Sequence, residues 1–261
     1  MGCKLSLPFL PRWSGWGLPS LETDGENEKA GDGVKQYSWD RLRVEVDLSQ
    51  YIVDGQEGGQ VVRRPGSVGG QQFVIKNSSN CCIYLYDWAN TVTIDDCKHC
   101  KIFLGAVKTS VFMRDCSNCV LVTTSGQLRS VATIILTSFR DKCFYLRLRD
   151  CLKVDMWLCV NSQPIIESSS GVTVGCFQYW YNDLPDHMAN AGLTPWNNYW
   201  SQIYDFSPVQ GENNWKKAGR MFKVEDYLPL PEDVEVIKEL GISNDRNKSI
   251  VPLSIGMDGK G

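Results

Sequence analysis

The chain has 261 residues, 43% hydrophobic and 22% charged, with 27 basic and 30 acidic side chains. That length allows one large domain or two small ones with a self-sufficient core, and the balanced charge gives no electrostatic case for a nucleic-acid partner. Eleven cysteines, an odd count, argue for free thiols in a reducing compartment, and with only His99 and His187 available, chemistry that leans on a histidine base is poorly supplied.

The N-terminal "MGCKLSLPFLPRW" is interrupted by Pro8 and Pro11, so it lacks the apolar centre of a signal peptide. No stretch holds the roughly 18 apolar residues that a membrane-spanning helix needs. "MGCKLS" does fit the pattern M-G-x-x-x-[ST], which predicts myristoylation of Gly2 once Met1 is removed. One acyl chain holds a membrane only marginally. Cys3 is placed to carry a palmitoyl group as the second anchor, and Phe9, Leu10, Trp13 and Trp16 could add interfacial contacts. The plain alternative is an ordinary start that happens to match. Residues 1–34 read as a flexible tail, with "SLETDGENEKAGDG" as linker. Residues 35–63 lead into a repeating region and are expected to cap its first repeat.

Between residues 64 and 180 the chain repeats itself. Shifted by about 19, Val92 meets Val111, Ile94 meets Met113, Cys97 meets Cys116, Cys100 meets Cys119 and Ile102 meets Leu121. One step back, Phe73 meets Val92, Ile75 meets Ile94 and Cys81 meets Cys100. The pairs Cys97/Cys100 and Cys116/Cys119 alone would suggest a structural zinc site. A zinc ribbon would not make the apolar flanks repeat, whereas stacked β-coils would. Segments such as "QQFVI", "TVTIDD" and "SVFM" alternate with a strand's period and are divided by turn residues. The fold class expected is therefore mainly β: a right-handed parallel β-helix of about 18–19 residues per coil, its cysteines acting as compact interior residues with no metal. The second "RDC", Arg149–Cys151, follows the first, Arg114–Cys116, at a distance that reads as about two coils.

After Tyr181 the period is lost. "NNYWSQIYDF" and "NNWKKAG" read as segments draped along the coils or covering the last one, and "LPEDVEVIKELG" carries the start and stop signals of a short helix. The expected organisation is a tail over 1–34, a β-helix domain over 35–228, and a short helix and loose end over 229–261.

The runs "KQYSWD", "RPGSVGGQQFVI", "TVTIDDC", "QPIIESSS" and "GCFQYWY", in that order, resemble the tubulin-binding cofactor C family, in particular its ciliary GTPase-regulating members, over roughly residues 35–255. The resemblance implies a β-helix and N-terminal acylation at a Gly-Cys pair. It also implies activation of an Arf-like small GTPase by an arginine finger, in the trafficking of lipidated proteins at the cilium. Expected partners are the GTP-bound GTPase, the inner leaflet of the plasma membrane, and a shuttle chaperone that binds myristoyl groups. No cofactor is expected: the chain has no G-x-x-x-x-G-K-[ST] loop, so the nucleotide would belong to the partner and the chain would be a regulator, not an enzyme. Longer relatives carry a nucleoside diphosphate kinase-like domain after "SIVP"; the expectation here is a form without it.

The family's Gln-x-Arg motif, followed by Arg and Asp-Cys, is split in this sequence. "GQLR" supplies Gln127 and Arg129; "YLRLRDC" supplies Arg147, Arg149, Asp150 and Cys151, with Tyr145 where glutamine is expected. Residues 130–147 read as an insertion one coil long. Either they form an extra coil, the favoured reading, stacking Arg129 beside Arg147, or they bulge and break the catalytic strand. Arg147 is the first choice for the finger and Arg129 the second; for each the alternative is a surface arginine. Gln127 would position the finger or attacking water, Glu167 would orient the finger or touch the GTPase, and Arg149 would contact the partner. Phe177 is either an apolar anchor for the partner or a cap over the last coil. The competing functions are a non-catalytic effector that docks on the GTPase with a disabled motif, a tubulin-folding factor, and a metal-binding protein.

Overall fold

The computed structural model describes residues 48–126, 146–208, 213–220, 222–223 and 234–242. The chain divides into Met1–Val46 and Asp47–Gly261, and the described residues all belong to the second unit.

After a 3₁₀ turn at Leu48–Tyr51 the chain alternates between two parallel sheets. The first sheet holds β1 (Ile52–Asp54), β3 (Phe73–Lys76), β5 (Val92–Asp95), β7 (Val111–Arg114), β9 (Leu146–Arg149), β11 (Ile165–Glu167) and β13 (Tyr204–Asp205) in that order. The second holds β2 (Gln60–Arg63), β4 (Cys82–Leu85), β6 (Lys101–Val107), β8 (Ser117–Ser125), β10 (Leu152–Val160), β12 (Val172–Cys176) and β14 (Trp215–Lys217). Each circuit adds one strand to each sheet, which is the stacking of a parallel β-helix. The apolar repeat is the ladder itself: Phe73 lies opposite Val92, Val92 opposite Val111, Ile83 opposite Ile102, and Ile102 opposite Leu121.

Two corners per coil explain the cysteine spacing. Asn77, Asp96, Asp115, Asp150 and Ser168 follow successive strands of the first sheet with φ between 48° and 53°. Asn80, His99, Asn118 and Lys153 precede or open strands of the second sheet with φ near 54°. Asn and Asp tolerate this left-handed region best among residues with a Cβ. The residue after each corner turns inward, so Cys97 and Cys116 stack in one column and Cys81, Cys100 and Cys119 in another, all buried. In the first column Cys97, Cys116 and Cys151 donate to the carbonyl two residues back, as Ser78 and Ser169 do at its ends. In the second, the Cys81 and Cys100 sulfurs lie 3.5 Å apart. That contact and burial hold the Cys81 thiol protonated. Among the described residues no group of three or more His, Cys, Asp or Glu is placed to hold a metal ion.

A second apolar cluster lies outside the coil. The outward side of the second sheet carries Tyr84, Phe103 and Trp157, and Phe177, Tyr179 and Tyr181 pack over it. The helices α1 (Leu184–Ala191) and α2 (Val234–Leu240) close this layer. α1 has Pro185 in its first turn and ends at Gly192, whose φ of 69° suits glycine. Gly175 makes room for the layer: a Cβ there would sit 2.2 Å from the Trp157 ring.

Two expectations need correction. The coils run from Ile52 to Lys217, beyond 64–180, because Tyr204–Asp205 and Trp215–Lys217 of the aromatic segments pair as a last rung. The two "RDC" runs are one rung apart, because Arg114 lies directly opposite Arg149. β7 pairs directly with β9, and β8 with β10, so no extra coil intervenes. Leu146 and Arg147 belong to β9. The segment 127–145 lies outside the described residues.

Candidate functional site

Outward positions of the first sheet form two rows. One runs Ile52, Val74, Thr93, Phe112, Arg147, Ile165, Tyr204. The other runs Asp54, Lys76, Asp95, Arg114, Arg149, Glu167. The intervening positions, such as Leu146 and Leu148, point into the core. Pleating therefore puts Arg147 and Arg149 on the same outer face and anchors them by buried leucines.

Arg147 is held by Glu167, which sits on the next strand but in the other row. The Arg147 Nε donates to Glu167 Oε2 at 3.0 Å, and Nη2 donates to the same oxygen. Both side chains are partly exposed, so the pair contributes little to stability. Its effect is to restrict the arginine's rotamers. Arg114 is gripped by Asp95 through two bonds, Nε to Oδ1 at 2.8 Å and Nη2 to Oδ2 at 2.6 Å. Those bonds and the Asp95 charge raise the Arg114 pKa above its ordinary value. The Arg149 Nε donates to Asp150 Oδ2 at 2.8 Å. Thr93, Phe112, Arg114, Arg147 and Arg149 line one open groove of about 330 Å³. Beyond Ile165, Tyr204 and Phe206 stack edge to face with centroids 4.7 Å apart, and both are exposed.

Three of the anticipated residues thus converge: Arg147, Arg149 and Glu167. Phe177 does not join them. It is fully buried in the aromatic cluster on the outward side of the second sheet, so it has no surface to offer a partner, and it covers the side of the coils, not the last coil. The alternative in which Arg129 stacks beside Arg147 is overturned, since the ladder neighbours of Arg147 are Phe112 and Ile165. The broken-strand alternative is also corrected, because Leu146–Arg149 pairs in register on both sides. Gln127, Arg129, Gly2 and Cys3 lie outside the described residues. The sequence reading missed Phe112, Arg114, Tyr204 and Phe206. The repeated "RDC" was the signal for Arg114, had the two runs been set one rung apart.

Comparison with known proteins gives this surface its relatives. The family described as Tubulin binding cofactor C matches residues 70–139 and 139–206, two pieces that meet within the segment 127–145, outside the described residues. Protein XRP2 of Gallus gallus is 41% identical over 98% of this chain and 65% of its own length, and Protein XRP2 of Homo sapiens is 44% identical over 90% and 61%. The Tubulin-specific chaperone C of Homo sapiens is 28% identical over 63% of this chain and 43% of its own. A solved structure, Tubulin Binding Cofactor C from Leishmania major, covers 64% of this chain and 90% of that chain at 17% identity, with a TM-score of 0.34. The chain spans less than two thirds of the length of these XRP2 proteins. It belongs to the tubulin binding cofactor C family, with higher identity to the XRP2 proteins than to the tubulin-specific chaperone.

Proposed function

We propose that this protein activates an Arf-like small GTPase by supplying Arg147 in trans to the nucleotide the GTPase carries. The observation that carries the reading is Arg147 itself: an exposed guanidinium on a strand paired on both sides, oriented by Glu167. Hydrolysis spreads negative charge over the transferring phosphoryl oxygens. A guanidinium suits that charge because it stays protonated and its donors form a planar fork. A rigid mount spares the cost of ordering it at the moment of reaction. Glu167 keeps the side chain extended until the phosphates replace it as the acceptor. Arg149 and Arg114 add positive charge around the groove, and Tyr204 with Phe206 offers apolar area for the partner's surface. Acylation at Gly2 and Cys3 would tether this activity to the cytoplasmic face of the plasma membrane, at or near the base of the cilium, where it would act on carriers of lipidated proteins.

Single-turnover hydrolysis by a GTP-loaded Arf-like GTPase, with and without the chain, tests the reading. Stimulation of about 10³-fold or more is expected, lost in Arg147→Ala and not restored by Arg147→Lys. Glu167→Gln should keep part of it, because it loosens the finger without removing it. Unstimulated hydrolysis alongside intact binding of the GTP form would sink the activator reading and leave a docking effector.

A further inference from the structure

Among the described residues the last rung of the second sheet is open on one side, with β14 paired to β12 alone. The Val172 N–H donates to the Asn214 carbonyl at 3.0 Å, and the Ala218 N–H donates to the Val174 carbonyl at 2.8 Å. In a parallel pair every second residue faces the same neighbour. Asn214, Lys216 and Ala218 therefore face β12, while Trp215 and Lys217 turn their N–H and C=O groups the other way. Among the described residues nothing pairs with those groups. Such an edge is a template for another strand.

The side chains define which strand it would take. Trp215 is partly buried against the inner core. Lys216 and Lys217 are exposed. Lys217 holds an inward position, since its register partner Val174 is fully buried, yet among the described residues no further rung lies over it. Lys216, Lys217, Gly219, Arg220, Thr173 and Asp155 line a groove of about 450 Å³ beside the edge. Asp155 stands two strands from Lys216 in the row Asp155, Thr173, Lys216. This gathers cations at one end of a chain whose formal net charge is −3. Lysines on an edge repel a second copy of the same edge. They attract an acidic strand for the same reason.

We propose that the β14 edge and its basic groove bind an extended acidic segment of a partner protein, which adds a strand to the second sheet. Backbone bonds to Trp215 and Lys217 would give affinity. An apolar residue against Trp215 and acids against Lys216 and Lys217 would give selectivity. The site is on the sheet that does not carry Arg147, so it is independent of the GTPase reading.

The test is fluorescence anisotropy of the full chain with a labelled peptide, Val-Glu-Glu-Val-Glu-Thr-Val. Saturable binding is expected, weakened at least about tenfold in Lys216→Glu/Lys217→Glu. N-methylation of alternate backbone amides should abolish it, and replacing each glutamate by lysine should too. GTPase stimulation should be unchanged in the double variant, and its melting temperature should match the parent's because both lysines are exposed. Equal binding of the N-methylated peptide would overturn strand addition. So would failure to saturate by about 1 mM peptide. Recruitment to phosphatidylserine vesicles, lost in the double variant while the peptide does not bind, would overturn the proposal in favour of a membrane-facing patch.

Discussion

Phe112 and Arg147 are directly opposed neighbours on adjacent strands, although residues 113–146 separate them along the chain. Residues 177–203 join β12 to β13 through α1, but on the two neighbouring rungs the equivalent passage from the second sheet to the first is short, residues 108–110 joining β6 to β7 and 161–164 joining β10 to β11. Replacing residues 127–145 by a connector of that length should therefore leave a cooperative two-state melt, with the ladder around Arg147 intact. Thermal unfolding followed by circular dichroism checks this; collapse of the transition would mean that the segment carries part of the core.

Gly175 is opposed to Trp157 in the ladder, and the indole lies over it. The ring is almost fully buried and packs against Phe222 at 5.1 Å between centroids, so it has little room to retreat. Gly175→Ala should destabilise the protein by about 1–3 kcal/mol through overpacking, measured as a lower urea midpoint with an unchanged slope. A neutral result would show that the aromatic layer can shift as a body.

The column containing Cys116 holds thiols at its middle positions and hydroxyls at its ends, with Ser78 and Ser169 making the same bond to the carbonyl two residues back. Cys116→Ser should cost under about 1 kcal/mol because that bond is kept, whereas Cys116→Leu should cost roughly 1–3 kcal/mol by overfilling the coil. The thiols should also be quiet. Burial pushes Cys159 up to about 12 and Cys176 up to about 11. Thiol titration of the native protein at pH 8 should leave both unlabelled until denaturant is added.

His187 ties α1 to the coil. Its Nδ1 is 2.9 Å from the Tyr181 hydroxyl, and its Nε2 faces the buried Asp87 carboxylate at 3.6 Å. Asp87 is already engaged by the N–H groups of Val68 and Gly69. Burial lowers the His187 pKa from 6.5, against the opposing charges of Asp87, Asp183 and Asp186. The unfolded chain then takes up the proton first as pH falls. Stability from the neutral ring is present above about pH 6.5 and is lost as pH falls through the lower folded value. His187→Gln should flatten the fall in melting temperature between about pH 6.5 and 5. An unaltered slope would assign it to other groups.

The parts of the fold legible in the sequence are the parts that repeat. The inward residues and the corner cysteines recur because each rung must bury the same positions, so the period and the fold class could be read directly. The helix at Val234–Leu240 was also announced by the run that ends in Gly241. The distance between the two "RDC" runs was ambiguous, because one rung with an excursion and two plain rungs have nearly the same length. Only the pairing of Arg114 with Arg149 separates them. α1 carried signals in Pro185, Gly192 and the spacing of Leu184, Met188 and Ala191, but the aromatic richness around it masked them. At the site, Arg147, Arg149 and Glu167 were reached through family resemblance. Nothing local in their sequence distinguishes them from other surface charges, since their meaning lies in which strands they share. Phe177 alternates with Tyr179 and Tyr181, and all three are buried in the aromatic cluster on the outward side of the second sheet, a placement neither alternative anticipated.

A helix of stacked rungs gives the arginine two independent coordinates. Its height along the axis is counted in whole strands, each about 4.8 Å, and β1, β3, β5 and β7 lie below it in its sheet. Its facing is set by parity, because Leu146 and Leu148 on either side point inward. Gain or loss of a complete rung would slide the guanidinium along the axis without rotating it, whereas loss of a single residue within β9 would turn it into the core. The reach of such a finger can therefore change only in steps, and its length of tether to the fold is the same at every step.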